Sequence, residues 1–211
     1  MTKATPADLD PFYPIVPDIV WLKRLVPLGL RVVQLRLKDA VGGEVRRQID
    51  DALKMTRDHQ CQLIINDYWR EAIEAGADYI HLGQEDLAAA DVGAIKNAGL
   101  RLGISTHDKS ELETALGVAP DYIALGPIYE TKLKKMKWRP QGLERVTNWR
   151  ARIGDIALVA IGGLTPERAP GVLEAGASSI AVITDFVTAQ DPEAQVQRWL
   201  KWADGVRNRH E

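Results

Sequence analysis

Gln34, Arg36 and Lys38 alternate with the apolar residues Val33, Leu35 and Leu37. In a β-strand successive side chains point to opposite faces, so the amide and the two cations share one face. A half-exposed sheet with its polar face in water produces the same pattern. The surrounding apolar runs, however, read as strands buried on both faces, and an unpaired buried charge is costly. Two cations on the inner face of such a strand call for an anionic partner. Two carboxylates extend the idea: Asp67, directly after Asn66, and Asp86, four residues after Leu82. Each alone reads equally well as the cap of a following helix. Hard cations such as Mg²⁺ take oxygen ligands, usually one or two carboxylates together with substrate phosphates. Beside the Lys38 cluster, Asp67 and Asp86 make a candidate magnesium–pyrophosphate site.

Two further stretches point to phosphate. The diglycine Gly162-Gly163 ends an apolar run, and glycine lets backbone N–H groups approach an anion closely. The plain alternative is a tight turn. The segment 126–141 carries Thr131, Lys132, Lys134, Lys135, Lys137 and Arg139. It is long for a strand-to-helix connection, which favours a functional loop over a merely solvated charge run. Its lysines are expected to fold over a polyanion, with Trp138 as a hydrophobic latch or a rim residue. His81 and His107 have no evident sequence partner and are read as structural before catalytic. No His/Cys metal spacing and no nucleophile elbow occur.

These residues need elements to position them. β-like runs are expected over 12–16, 31–38, 62–66, 78–82, 100–105, 121–125, 157–161 and 179–183. Helices alternate with them over 18–28, 43–59, 68–75, 92–98, 109–116, 143–152, 166–175 and 192–203. Glycines at 29, 76, 99 and 176 stop helices. Glu-Ala-Gly-Ala occurs twice, at 74–77 and 174–177, each time between a helix and a strand. Strands alternating with helices imply a parallel sheet. Eight such units predict a closed (β/α)₈ TIM barrel, since no Gly-x-Gly-x-x-Gly turn supports an open doubly wound sheet. In such a barrel the active site lies at the C-terminal strand ends, where Gln34 to Lys38, Asn66, Asp67, His81, Asp86, Ser105, Gly163 and Thr184 fall. Residues 1–11 read as a flexible tail and 12–211 as the barrel domain.

Composition fits this reading. The chain has 211 residues, 45% apolar and 27% charged, enough for one domain with a real core. A formal net charge of −2 argues against a nucleic-acid surface. The lone Cys61 excludes an internal disulfide framework and a multi-cysteine metal site. No stretch is long and apolar enough to span a bilayer, and the N-terminus lacks a signal-peptide core, so a cytoplasmic location is expected. Trp199 and Trp202 read as packing residues, and the reading allows a homo-oligomer.

Six motifs together resemble the thiamine phosphate synthase family. They are Gln34-Leu35-Arg36-Leu37-Lys38, Ile65-Asn66-Asp67, His81 to Leu87, Gly103 to His107, Gly126-Pro127-Ile128-Tyr129 and Ala160-Ile161-Gly162-Gly163. They follow the family's order and spacing from about residue 13 to residue 187. The resemblance implies coupling of 4-amino-2-methyl-5-(diphosphooxymethyl)pyrimidine with a thiazole phosphate, carboxylated or not. The products are thiamine phosphate and pyrophosphate. It further implies that Gln34, Leu35, Arg36, Leu37, Lys38, Asn66, Ser105 and Lys134 hold the pyrimidine pyrophosphate. Mg²⁺ falls to Asp67 and Asp86, and the thiazole phosphate to Thr131, Leu133, Gly163, Ile183 and Thr184. Arg36, Lys38 and Lys134 then carry the catalytic charge. One departure stands out: the family's lid usually reads Thr-x-Thr-Lys, and here it is Thr131-Lys132-Leu133-Lys134. The missing hydroxyl removes a hydrogen bond worth ~1 kcal/mol. Thr184 replaces a common Ser and keeps the hydroxyl. A thiazole tautomerase and a non-catalytic phosphate-ligand sensor are the alternatives on the same barrel.

Overall fold

The computed structural model describes residues 9–38, 42–131 and 138–209. Eight strands close into one barrel in sequence order, every pairing parallel. They are β1 (Phe12–Val16), β2 (Val32–Leu35), β3 (Gln62–Asn66), β4 (Tyr79–Leu82), β5 (Arg101–Thr106), β6 (Tyr122–Leu125), β7 (Ala157–Ile161) and β8 (Ser179–Val182). Ten helices surround them among the described residues. These are α1 (Ile19–Leu25), α2 (Gly43–Asp58), α3 (Trp69–Ala75), α4 (Gln84–Ala89), α5 (Val92–Asn97), α6 (Lys109–Gly117), α7 (Gly142–Ile153), α8 (Ala169–Glu174), α9 (Thr184–Val187) and α10 (Pro192–Arg207). A 3₁₀ turn, Val26–Leu28, follows α1.

The strand period of two sorts each strand's residues into two apolar layers. Phe12 and Val16 of β1, and Val33 and Leu35 of β2, belong to the layer between sheet and helices. Tyr13, Ile15, Val32, Ile64, Tyr79, Tyr122, Val159 and Ala181 fill the barrel interior. Gly103 of β5 is required by this filling: a Cβ there would stand 2.1 Å from the Tyr122 ring. Aspartates cap the helices that begin after turns. Asp18, Asp108 and Asp191 accept from the N–H groups of Trp21, Glu111 and Ala194.

Three expectations change. The second strand ends at Leu35 rather than Lys38. Among the described residues one further ladder bond follows, from the Arg36 N–H to the Val16 carbonyl at 2.8 Å. The last helix runs a turn beyond 203, because Trp199, Ala203 and Val206 continue one buried stripe. Leu9 and Asp10, read as tail, are buried. Asp10 accepts from the Phe12 N–H at 3.0 Å, its carbonyl accepts from the Ser179 hydroxyl at 2.7 Å, and its carboxylate pairs with Arg207 of α10. These residues form part of the barrel floor. No helix among the described residues is long and apolar enough to cross a membrane.

Candidate active site

The C-terminal ends of β2, β3, β4 and β5 bring the expected residues to one mouth. Asn66 and Asp67 close β3, and Asn66 lies opposite His81 of β4 in the register. The Asn66 side-chain amide donates to the Asp67 carboxylate. Asp67 itself adopts a positive φ of 67°, uncommon for a residue with a side chain. The helix after β3 takes Tyr68 as its N-cap, and α4 takes Gly83, so neither Asp67 nor Asp86 serves as the cap that sequence also allowed. Asp86 stands in the first turn of α4 and folds back over Gly83, where a Cβ would lie 3.2 Å from its Oδ2.

Asp67 and Asp86 meet within hydrogen-bonding range, with the Arg36 guanidinium close enough to act on Asp67 electrostatically. Burial first, and the Asp86 carboxylate second, push Asp67 up to about 6, while Arg36 and the Asn66 amide pull the other way. Carboxylates crowded in this way suit a divalent cation, which relieves their repulsion. Among the described residues no three His, Cys, Asp or Glu side chains converge as a metal-binding group. Two protein ligands with open coordination positions match a magnesium ion shared with phosphates better than a closed cage.

Ser105 reaches the mouth from β5. Its hydroxyl contacts His81 Nε2 at 2.8 Å, and its carbonyl accepts from the Gln84 amide at 2.7 Å. His81 is buried, and desolvation holds its pKa down at about 3, so the ring is neutral. His107 follows directly after β5. Its Nδ1 lies 2.7 Å from Glu111, and its ring stacks on Trp138 with centroids 3.9 Å apart. Trp138 therefore packs on the rim, the second of its two expected roles.

The long loop leaves the barrel through a narrow neck. Gln141 and Gly142 N–H groups bond the carbonyls of Pro127 and Ile128 at 2.8 and 3.0 Å. Ile128 and Tyr129 in turn bond Ile161 and Gly162 beside β7. Gly163 has a φ of 65°, and a Cβ there would stand 2.4 Å from the Glu130 carbonyl oxygen, so the diglycine turn lies hard against the loop's start. Thr131, Ile183 and Thr184 are half-buried. Lys132, Leu133 and Lys134 lie outside the described residues.

The residues of the Gln34–Lys38 motif divide between two faces. Leu35 and Leu37, expected among the substrate residues, place their side chains in the layer beneath the helices. Strand alternation requires this: they face opposite to Gln34. Gln34 lies inside the barrel, 2% exposed, with its amide donating to the Tyr13 hydroxyl at 2.8 Å. Lys38 is exposed just past the strand. Tyr13 and Tyr122 are not among the residues expected at the site. The available signal was a tyrosine at an inward strand position, whose hydroxyl must find a partner.

A parallel barrel of eight strands with facing carboxylates and a guanidinium at its mouth belongs to the large class of (β/α)₈-barrel enzymes. Residues 13–186 match the family model described as thiamine monophosphate synthase. The chain is 60% identical over 192 residues to a thiamine-phosphate synthase of Rhizobium etli, covering 91% of this chain and 94% of that protein. It is 48% identical over 191 residues to the thiamine-phosphate synthase of Cronobacter sakazakii, covering 90% and 91%. Among solved structures, the thiamine phosphate pyrophosphorylase from Pyrococcus furiosus superposes with a TM-score of 0.81 at 25% identity, covering 93% and 96%. The chain belongs to the thiamine monophosphate synthase family.

Proposed function

We propose that the barrel mouth carries out the family reaction by making pyrophosphate leave from 4-amino-2-methyl-5-(diphosphooxymethyl)pyrimidine. A thiazole phosphate then captures the pyrimidine, giving thiamine phosphate and pyrophosphate, with CO₂ when the thiazole is carboxylated. The observation that carries the division of labour is the approach of Asp67 and Asp86 to each other within the electrostatic reach of Arg36.

Asp67 and Asp86 would hold Mg²⁺, which supplies neutralising charge to the pyrophosphate. Arg36, Lys38 and Lys134 add cationic charge that stabilises the leaving group as the C–O bond breaks. Asn66 and Ser105 orient the pyrophosphate end, and Gln34 holds the pyrimidine from below. The 4-amino group of the pyrimidine feeds electron density to the departing methylene, so the step is dissociative. The thiazole nitrogen then attacks the methylene cation and the C–N bond forms. No protein nucleophile is needed, and positioning and exclusion of water are the protein's part. Thr131, from the loop after β6, joins Gly163, Ile183 and Thr184 around the thiazole phosphate, the last three lying after strands seven and eight where such barrels often bind phosphate.

Mass spectrometry of the products after mixing both substrates with Mg²⁺ is the direct test. Thiamine phosphate and pyrophosphate are the expected products. Isomerised carboxythiazole without coupling would point to a tautomerase. Calorimetric binding of the pyrimidine pyrophosphate with no product would point to a sensor.

A further inference from the structure

A continuous hydrogen-bonded chain crosses the barrel interior beneath the mouth. The Gln34 amide nitrogen lies 2.8 Å from the Tyr13 hydroxyl, which lies 2.9 Å from the Tyr122 hydroxyl. Tyr122 continues to His81 Nδ1 at 2.7 Å, and His81 Nε2 to the Ser105 hydroxyl at 2.8 Å. The chain joins five strands and links two residues assigned above to the substrate, Gln34 and Ser105.

With the Gln34 amide nitrogen facing Tyr13, one direction leaves every proton of the chain paired. The Gln34 amide nitrogen can only donate, so Tyr13 accepts from it. The Tyr13 proton then has one acceptor within reach among the described residues, the Tyr122 oxygen. Tyr122 must pass its own proton to His81 Nδ1. A neutral ring that accepts at Nδ1 carries its proton on Nε2 and donates to Ser105. Ser105 receives one hydrogen bond from below, and its own proton is left for the mouth.

We infer that Tyr13, Tyr122 and His81 are positioning residues that commit the Ser105 hydroxyl to donate to a phosphate oxygen of the pyrimidine substrate. This rests on the reaction proposed above. A serine free to rotate could spend its proton on His81 instead. The relay removes that option before substrate arrives, which is preorganisation of the kind that raises turnover more than ground-state binding.

Two measurements test it. Nitrogen-15 NMR of ring-labelled histidine in the unaltered chain reads the His81 tautomer directly. The Nε2-protonated neutral form is expected, and an Nδ1-protonated or doubly protonated ring overturns the inference. The second is a double-mutant cycle of Tyr122→Phe with Ser105→Ala. Tyr122→Phe alone should lower kcat about tenfold, the worth of one misdirected hydrogen bond, with KM changed less than about twofold. In the Ser105→Ala background it should lower kcat no further. An equal fall in both backgrounds, or none in either, shows a purely structural tyrosine and overturns the inference. A chain that makes no thiamine phosphate overturns the reaction instead, and the tautomer measurement then decides this relay by itself.

Discussion

The floor and the mouth of this barrel handle charge in opposite ways. On the floor, Asp10 is met by Arg207 and by the Phe12 N–H, and Asp121 accepts from the Leu102 N–H at 2.7 Å. Arg101 bonds Gln62 and lies over the Tyr79 ring at 4.3 Å. At the mouth, two carboxylates are turned toward each other, and among the described residues Arg36 and Lys38 form no ion pair. Opposite charges paired at one end hold the chain closed. Like charges crowded at the other end are a standing cost that a ligand can relieve. Perturbed groups of this kind concentrate at functional sites.

The sharpest way to break the comparison is to remove one crowded carboxylate. Asp67→Ala should lower kcat/KM with Mg²⁺ by roughly a hundred- to a thousandfold while the circular-dichroism spectrum stays unchanged. Near wild-type turnover would remove Asp67 from the metal site. The converse change belongs to the floor. Arg207→Met leaves buried Asp10 with only the Arg31 guanidinium, 4.0 Å away, and should cost about 2 kcal/mol in urea unfolding. Its kcat/KM at 25 °C should stay within about twofold of the parent, and a large loss of activity would mean that floor and mouth are not separable. Lys134→Ala should weaken pyrophosphate about tenfold in calorimetry, because a charged hydrogen bond is lost. Unchanged affinity would exclude Lys134 from the anion.

The smallest effect concerns pH in the presence of a chelator. The folded-state pKa of Asp67, about 6, lies above its ordinary 3.8. A group raised in this way stabilises the fold fully below pH 3.8, and that contribution is lost as pH rises through 6. Metal-free protein should therefore melt at a lower temperature at pH 7.5 than at pH 5 on account of this group. Asp67→Asn should abolish that component and gain on the order of 1 kcal/mol at pH 7.5, after discounting for the solvent that still reaches the side chain. A variant no more stable than the parent would show that the two carboxylates do not strain each other.

Much of the mouth was legible because it lies in local patterns. Alternation put Gln34 on the inner face and Leu35 on the outer. Asp67 and Asp86 stood a few residues past β-like runs, and the eightfold rhythm brought those ends together. The same rule leaves Leu35 and Leu37 only their backbone groups to offer a ligand. Two helices escaped: α9 has four residues, too few for a 3.6-residue period to show, and α4 follows β4 after a single glycine. The interior relay escaped for a different reason. Tyr13 and Tyr122 are 109 residues apart, and His81 and Tyr122 are 41 apart. Only closure of the barrel makes them neighbours, and no spacing along the chain encodes that.

The neck of the long loop has a practical consequence. Backbone bonds at Pro127 and Ile128 seal the base of the excursion, so its two ends are tied together whatever runs between them. Lengthening a connection whose ends are already fixed adds little entropy cost, since that cost grows only with the logarithm of length. The segment is thus an exchangeable cassette. Exchanging residues 131–139 for a relative's segment should leave the melting temperature of the barrel where it was.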